Sequence, residues 1–205
     1  LRVSETPIPP AELADPQSTL LALIRAEGLS TLPWNRNAEE LRRRMAFLQE
    51  VQGDPWPEVS DQALMDTLEQ WLAPFLPRKI TGGSLQNLPL AAALRARLPW
   101  QLQARIDELA PQQLPLPSGS SRRLRYEGGR CILSARIQQL FGLTETPRVA
   151  GVPVEIELLS PAQRPVQVTR DLHSFWTQIY PEVRKELRGR YPKHYWPEDP
   201  FSAEA

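Results

Sequence analysis

The sequence predicts an α+β protein, a mainly helical N-terminal half packed against a smaller β-containing C-terminal domain. Three observations carry this reading. From about residue 15 to 110, apolar side chains recur at spacings of three and four. Beyond about 120 they alternate with charged residues at a spacing of two. Between these stretches lies PQQLPLPSGSS, beginning at Pro111, which is punctuated by proline, lacks a helical period and reads as a domain boundary or rigid bridge. The expected domains are 1–110 and 111–205.

Residues 1–8 alternate weakly before Pro9-Pro10, which suits either a short strand or a frayed end. Asp15-Pro16 offers an N-cap followed by an N1 proline, Leu20, Leu21, Leu23 and Ile24 supply an apolar face, and Gly28 can close the helix. Asn37 with Glu40 three residues on has the form of a capping box for a second helix, whose face is Leu41, Met45, Leu48 and either Phe47 or Val51 before Gly53. Ser60 caps a third helix with the stripe Leu64, Leu68, Trp71 and Leu72, ended by Pro74. A Gly82-Gly83 turn precedes a helical run over 90–97, and Pro99 at N1 starts a fifth helix with Leu102, Ile106 and Leu109 inward.

In the second half, Leu124 and Tyr126 alternate with Arg123 and Arg125, Gly128-Gly129 turns the chain and Cys131 to Leu133 returns, the pattern of a hairpin. Ile137, Leu140 and Phe141 suggest a short helix closed by Gly142. Val154, Ile156 and Leu158 alternate with Glu155 and Glu157 as in a strand with one wet face, and Val166 with Val168 pairs back after the Pro161 to Pro165 turn. Leu172, Phe175, Trp176, Ile179, Val183 and Leu187 line a last helix, capped by Asp171 and kinked or restarted at Pro181.

Composition narrows the class. The chain is 41% apolar and 23% charged, ordinary for a globular protein, and its 22 prolines call for short, sharply bounded elements. Lys plus Arg total 24 and Asp plus Glu total 24, so any positive field is local. Cys131 is the only cysteine, which excludes an internal disulfide and a thiolate metal site and points to a reducing, cytoplasmic setting. The chain opens at Leu1 without a signal-peptide pattern, as though cut from something longer, and no run of about 18 apolar residues is present to span a membrane.

Catalytic patterns are scarce. A G-x-x-x-x-G-K-[ST] phosphate cradle is missing, and Gly82-Gly83-Ser84 and Gly128-Gly129-Arg130 read as turns. Only His173 and His194 could serve as bases, and neither sits in a recognisable nucleophile or metal pattern. No catalytic residue and no metal site are assigned, and a self-contained hydrolase using either histidine is the weakest reading. Cys131 should be a buried, inert thiol, the Trp71, Phe175 and Trp176 rings should be core, and Trp34, Trp56 and Trp100 could staple helices together.

The stretch PEVRKELRGRYPKHYWPEDP at 181–200 is the most distinctive. Arg184, Lys185, Arg188, Arg190 and Lys193 stand against few acids and lead into Tyr191, Tyr195 and Trp196. Cations neutralise phosphates and aromatic faces stack on unpaired bases, so this suits a single-stranded nucleic-acid surface. Arg122, Arg123, Arg125, Arg130 and Arg136 flank the hairpin and form a second cationic set. Either the two sets converge on one phosphate-tracking groove, or they are solvated faces laced by ion pairs such as those Glu182 and Glu186 could make with Arg188 and Arg190.

Several stretches resemble the C-terminal region of the bacterial HrpB-type ATP-dependent helicases of the DEAH-box group. They are LPWNRNAEELRRRMAFLQ at 32–49, LEQWLAPFL at 68–76, LPWQLQARIDELAP at 98–111, PSGSSRRLRYEGG at 117–129, IQQLFGLTETPRVAGVPVEIELLSPAQRPVQVTRDL at 137–172 and EVRKELRGRYPKHYWPEDP at 182–200. The resemblance implies a parent with two RecA-like engine domains that use ATP and Mg to remodel RNA. It also implies winged-helix and helical-bundle accessory domains, and an oligonucleotide-binding-like β element. This chain holds none of the engine motifs, so it needs no cofactor of its own and is not expected to be an enzyme by itself.

The expected function is thus that of a helicase accessory region that binds RNA or docks a partner. Its expected partners are single-stranded nucleic acid and the upstream helicase domains. The alternative is a protein-interaction scaffold, with proline-rich turns and exposed tryptophans docking another protein and cations that only solubilise.

Overall fold

The computed structural model describes residues 15–79 and 83–203. The possible strand at 1–8 and Gly82 of the Gly82-Gly83 turn lie outside these residues. The chain divides into two compact units, one from 1–45 with 57–103, the other from 46–56 with 104–205.

In the first unit, α1 (Pro16–Glu27) is capped by the Asp15 carboxylate, which accepts from the Gln17 and Ser18 amides, and ends at Gly28 with φ of 89°. Leu20, Leu21 and Ile24 are its buried face. Helix α2 (Arg36–Gln52) starts in this unit and ends in the other. Its cap is Asn35, whose Oδ1 accepts from the Ala38 amide at 3.0 Å, while Asn37 lies inside the helix. The expected capping box at Asn37 does not form: the cap lies two residues earlier, and Glu40 accepts from Arg36 Nε at 2.8 Å.

Ser60 caps α3 (Asp61–Asp66) as expected, but the helix does not continue unbroken into α4 (Leu68–Leu72). Thr67 stands between them at φ −111°, ψ 20°. Its hydroxyl donates to the Ala63 carbonyl at 2.6 Å and accepts from Arg97 Nη1 at 2.6 Å, a local bond of the kind that competes with helix continuation. The apolar stripe survives the break: Leu64, Leu68, Trp71 and Leu72 are buried, and Trp71 Nε1 donates across it to the Leu64 carbonyl at 2.9 Å. Helix α5 (Leu90–Ala96) follows, and α6 (Trp100–Leu109) begins one residue after Pro99, which stands at the cap. Of the tryptophans expected to staple helices, Trp56 is buried, whereas Trp100 is 76% exposed and staples nothing.

The second unit is organised by strands β1 (Gln113–Pro115), β2 (Ser121–Glu127), β3 (Arg130–Arg136), β4 (Arg148–Val149), β5 (Val152–Pro153), β6 (Glu155–Leu159) and β7 (Pro165–Thr169). Five of them form one sheet in the order β1-β2-β3-β6-β7. The β3–β6 pair is parallel, the others antiparallel. The sheet has edges at β1 and β7 among the described residues. The predicted hairpin is β2–β3, turned by Gly128 and Gly129 at φ 51° and 64°, both in the left-handed region a tight hairpin turn requires.

The proline-punctuated bridge is partly strand. β1 pairs Leu114 with Arg122 at the sheet edge, where the missing N–H of Pro115 costs no central ladder bond. The β4–β5 ribbon was not foreseen, since its two-residue strands are too short for a period to show.

One sheet face is apolar, with Leu124, Tyr126, Cys131, Leu133, Ala135, Ile156 and Leu158 all buried. Phe47, in the last turns of α2, packs on Tyr126 with ring centroids 5.0 Å apart. The terminal helical stretch runs through α7 (Leu172–Ser174), a π-turn at Phe175–Ile179 and α8 (Tyr180–Arg190). Pro181 explains the π-turn. Having no N–H to give to the turn before it, Pro181 interrupts the regular ladder, and the Tyr180 amide reaches back to the Phe175 carbonyl. Trp176 and Tyr180 pack on Phe141, and Phe175 on Trp176 and Tyr180, as a buried aromatic core, as expected for Phe175 and Trp176.

Candidate nucleic-acid interface

Strand alternation sets the first cationic group. With Leu124 and Tyr126 inward, Arg123, Arg125 and Glu127 fall on the opposite face, where register brings Ser134 beside Glu157 and Ile132 beside Glu155. This face is a ladder of ion pairs. Arg125 Nη2 donates to Glu157 Oε1 at 2.9 Å and Nη1 to Ser134 Oγ at 3.0 Å, and its Nε lies 3.5 Å from Glu127. Ser134 also donates to Glu157. Arg130 pairs with Glu155 at 3.2 Å, and Arg170 approaches the other oxygen of the same carboxylate at 2.8 Å. The Arg125 guanidinium holds the Glu157 carboxyl below the usual carboxylate range, with Ser134 adding to the effect, and Glu157 in turn raises Arg125. Arg122 points elsewhere, donating to Gln139 Oε1 from Nε and Nη2 at 3.2 and 3.0 Å.

Helix α8 presents the second group. Leu187 is buried and turns the opposite side of the helix outward. Lys185 and Arg188, one turn apart, are exposed, as is Lys193 beyond the helix, and no carboxylate pairs with these three among the described residues. Arg190 pairs with Glu186 at 3.3 Å one turn back. Arg184 is folded inward, 22% exposed, donating from Nε to the Trp196 carbonyl at 3.0 Å and pairing with Glu198 at 3.1 Å.

The aromatics divide similarly. Trp196 is 6% exposed and donates Nε1 to the Tyr191 carbonyl at 3.0 Å, so the expected stacking face is turned into the unit and clamps the segment after α8. Tyr191 is half-buried with its ring edge-on to His194. Tyr195 is 62% exposed and keeps a face for stacking while its ring lies 6.2 Å from Phe141. The segment is anchored at both sides: Tyr180 donates its hydroxyl to the Pro197 carbonyl at 3.0 Å, and the Pro200 carbonyl accepts from the Gly142 amide at 2.9 Å.

The two sets thus differ in kind. Arg125 and Arg130 are matched to glutamates of the neighbouring strand, while Lys185, Arg188 and Lys193 are not. The sequences carrying them meet at one place, a polar pocket of about 290 Å³ lined by Ser118, Ser120, Arg136, Gln138, Gln139 and His194. The serines and glutamines were missed in the sequence, where they belong to no motif; the sole signal is a Gln-Gln pair between the core residues Ile137 and Leu140.

Other chemistry is not assembled. Asp171 spends its carboxylate on the Ser174 amide and hydroxyl, at 2.9 and 2.6 Å, and His173 rests against the Phe201 ring. Burial pushes the Cys131 thiol up to about 11. Among the described residues no cluster of three or more His, Cys, Asp and Glu could hold a metal ion, and no helix is long and apolar enough to cross a membrane.

The family model described as ATP-dependent helicase C-terminal, of HrpB type, matches residues 71–200. The ATP-dependent RNA helicase HrpB of Escherichia coli K12 is 44% identical over 184 residues, which is 86% of this chain and 22% of that protein. A crystal structure of the E. coli DExH-box NTPase HrpB superposes with a TM-score of 0.87 at 40% identity, covering 98% of this chain and 25% of that one. A crystal structure of the E. coli DEAH/RHA helicase HrpB gives 0.71 at 38% identity, covering 96% and 25%. The chain therefore spans about a quarter of the length of these relatives.

Proposed function

The chain belongs to the HrpB-type ATP-dependent helicase C-terminal family, and on that premise we propose that it serves an ATP-dependent RNA helicase as an accessory region that holds single-stranded RNA by its phosphates. The observation that carries this is the contrast within the second unit. Lys185, Arg188 and Lys193 are exposed and unmatched by carboxylates, while Arg125 and Arg130 of the hairpin are matched to Glu157 and Glu155. A cation already neutralised by a neighbouring carboxylate adds little to a phosphate surface, whereas an unmatched one exchanges its counterions for the RNA backbone. Tyr195 supplies an exposed ring beside Lys193 on which a base can stack.

The residues present do not fit ATP. Gly128 and Gly129 are held in the β2–β3 turn, and neither glycine pair is followed by the lysine a phosphate cradle uses. ATP and Mg belong to the RecA-like domains that the family resemblance implies for the parent, and these domains are also the partners this region would serve. A single buried cysteine suits a cytoplasmic setting.

The rival, a protein-docking scaffold, rests on exposed Trp100. Titration of a fluorescent single-stranded RNA into the full-length protein separates the two. Phosphate capture requires affinity that falls steeply between 50 and 200 mM salt, while apolar docking leaves RNA unbound and partner binding nearly insensitive to salt.

A further inference from the structure

The pocket where Arg136 and His194 meet carries a more specific reading, which rests on the RNA function proposed above. Its wall begins with the 116–120 turn. There the Leu116 amide donates to the Ser120 carbonyl at 2.8 Å, and Ser118 and Ser120 bring their hydroxyl oxygens to 2.8 Å of each other. Gln139, 8% exposed, fixes this corner. Its Nε2 donates to Ser120 Oγ at 3.2 Å, and its Oε1 accepts from Arg122 and from the Arg136 amide at 3.1 Å.

The two serines own two hydroxyl hydrogens, and their mutual bond uses one. Ser120 already accepts from Gln139, so whichever serine donates to the other, one hydroxyl hydrogen remains without an acceptor. Gln138 Nε2 is buried and has no partner at all. No carboxylate pairs with the Arg136 guanidinium among the described residues, and none lines the pocket. The pocket thus presents a buried donor and a guanidinium that no carboxylate meets, and a buried donor without an acceptor carries a desolvation cost that an acceptor-rich ligand removes.

We propose that this pocket is a phosphate site, holding one backbone phosphate of the single-stranded RNA whose neighbouring phosphates lie on the α8 cations. Arg136 supplies charge and a planar fork, the serine pair and Gln138 supply neutral donors, and His194 stands at the rim, one residue from Lys193.

The test uses the full-length protein with two probes, inorganic phosphate followed by thermal shift and a fluorescent single-stranded RNA at 50 and 200 mM salt. Arg136→Gln keeps a polar side chain and removes the charge, and Ser120→Ala alters the serine pair without touching Arg136. Wild type should be stabilised by phosphate and Arg136→Gln should not. Arg136→Gln should also bind RNA roughly tenfold more weakly at low salt, about what one charge-assisted bond is worth, with a salt slope shallower by ~0.7. Ser120→Ala should weaken RNA binding and leave the salt slope unchanged. If Arg136→Gln matches wild type toward both probes while alanines at Lys185, Arg188 and Lys193 weaken RNA binding, the pocket is overturned and the α8 surface stands. If wild type itself fails to bind RNA, both readings fall together.

Discussion

Replacing Lys185, Arg188 and Lys193 with alanine removes the cations on and just beyond α8 that no carboxylate matches, while sparing buried Leu187 and the Tyr180–Pro197 tie. All three side chains are exposed, so the fold should lose only a few tenths of a kcal/mol, as surface changes away from caps and cores do. The effect on RNA follows from counterion release. Each phosphate contact on a single strand adds ~0.7 to the slope of log K against log salt, so three contacts contribute about 2. Between 50 and 200 mM salt this is a difference of about twentyfold in how far affinity falls. Fluorescence anisotropy with labelled single-stranded RNA, on the full-length protein at both salts, reads it directly. The variant should bind more weakly at 50 mM and show the flatter slope. An unchanged slope, with far-UV circular dichroism showing an intact fold, would refute phosphate capture by α8.

Arg125→Ala should leave RNA affinity within about twofold, because its charge is already met by Glu157, and should cost about 0.2–1 kcal/mol of stability in urea unfolding as an exposed ion pair does. The Glu157 carboxyl is held below its ordinary value, so the unfolded chain takes up its proton first. The pair's stabilisation should be complete above about pH 5 and fade as pH falls through the lower, folded value, and the same urea series from pH 7 to pH 3 reads this as convergence of wild type and Arg125→Ala. Trp196→Ala should destabilise by about 3–5 kcal/mol through the cavity it leaves, whereas Tyr195→Ala should keep its stability and bind RNA several-fold more weakly, as anisotropy and denaturation together would show. Cys131, with its thiol raised to about 11, should alkylate at pH 8 more than a hundredfold more slowly than a free thiol until denaturant is added, followed by mass spectrometry.

Much of the fold is legible in the chain because its signals are local. Asp15, Ser60 and Asp171 cap the helices they were expected to cap, and the Gly128-Gly129 turn with alternating neighbours makes the β2–β3 hairpin. The misses are tertiary or short. Thr67 breaks a helix because Arg97, distant in sequence, bonds its hydroxyl. β1 hides among prolines because edge pairing tolerates them. The cationic surface was only half legible. Sequence shows where arginines cluster, but whether Arg125 and Arg130 are spent depends on β6 lying beside β3 in parallel, a long-range pairing that no local pattern encodes. Trp196 looks like a stacking platform in sequence because it closes a cation-rich stretch alongside Tyr191 and Tyr195, yet the return of 196–200 toward Gly142 buries it.

Photo-crosslinking of a 4-thiouridine-containing single-stranded RNA to the full-length protein, with adducts mapped by mass spectrometry, bears most directly on where RNA sits. Adducts within 185–195, reaching Tyr195 and His194, are the predicted result. Adducts confined to the β2–β3–β6 ladder, or absent from this chain altogether, would contradict it.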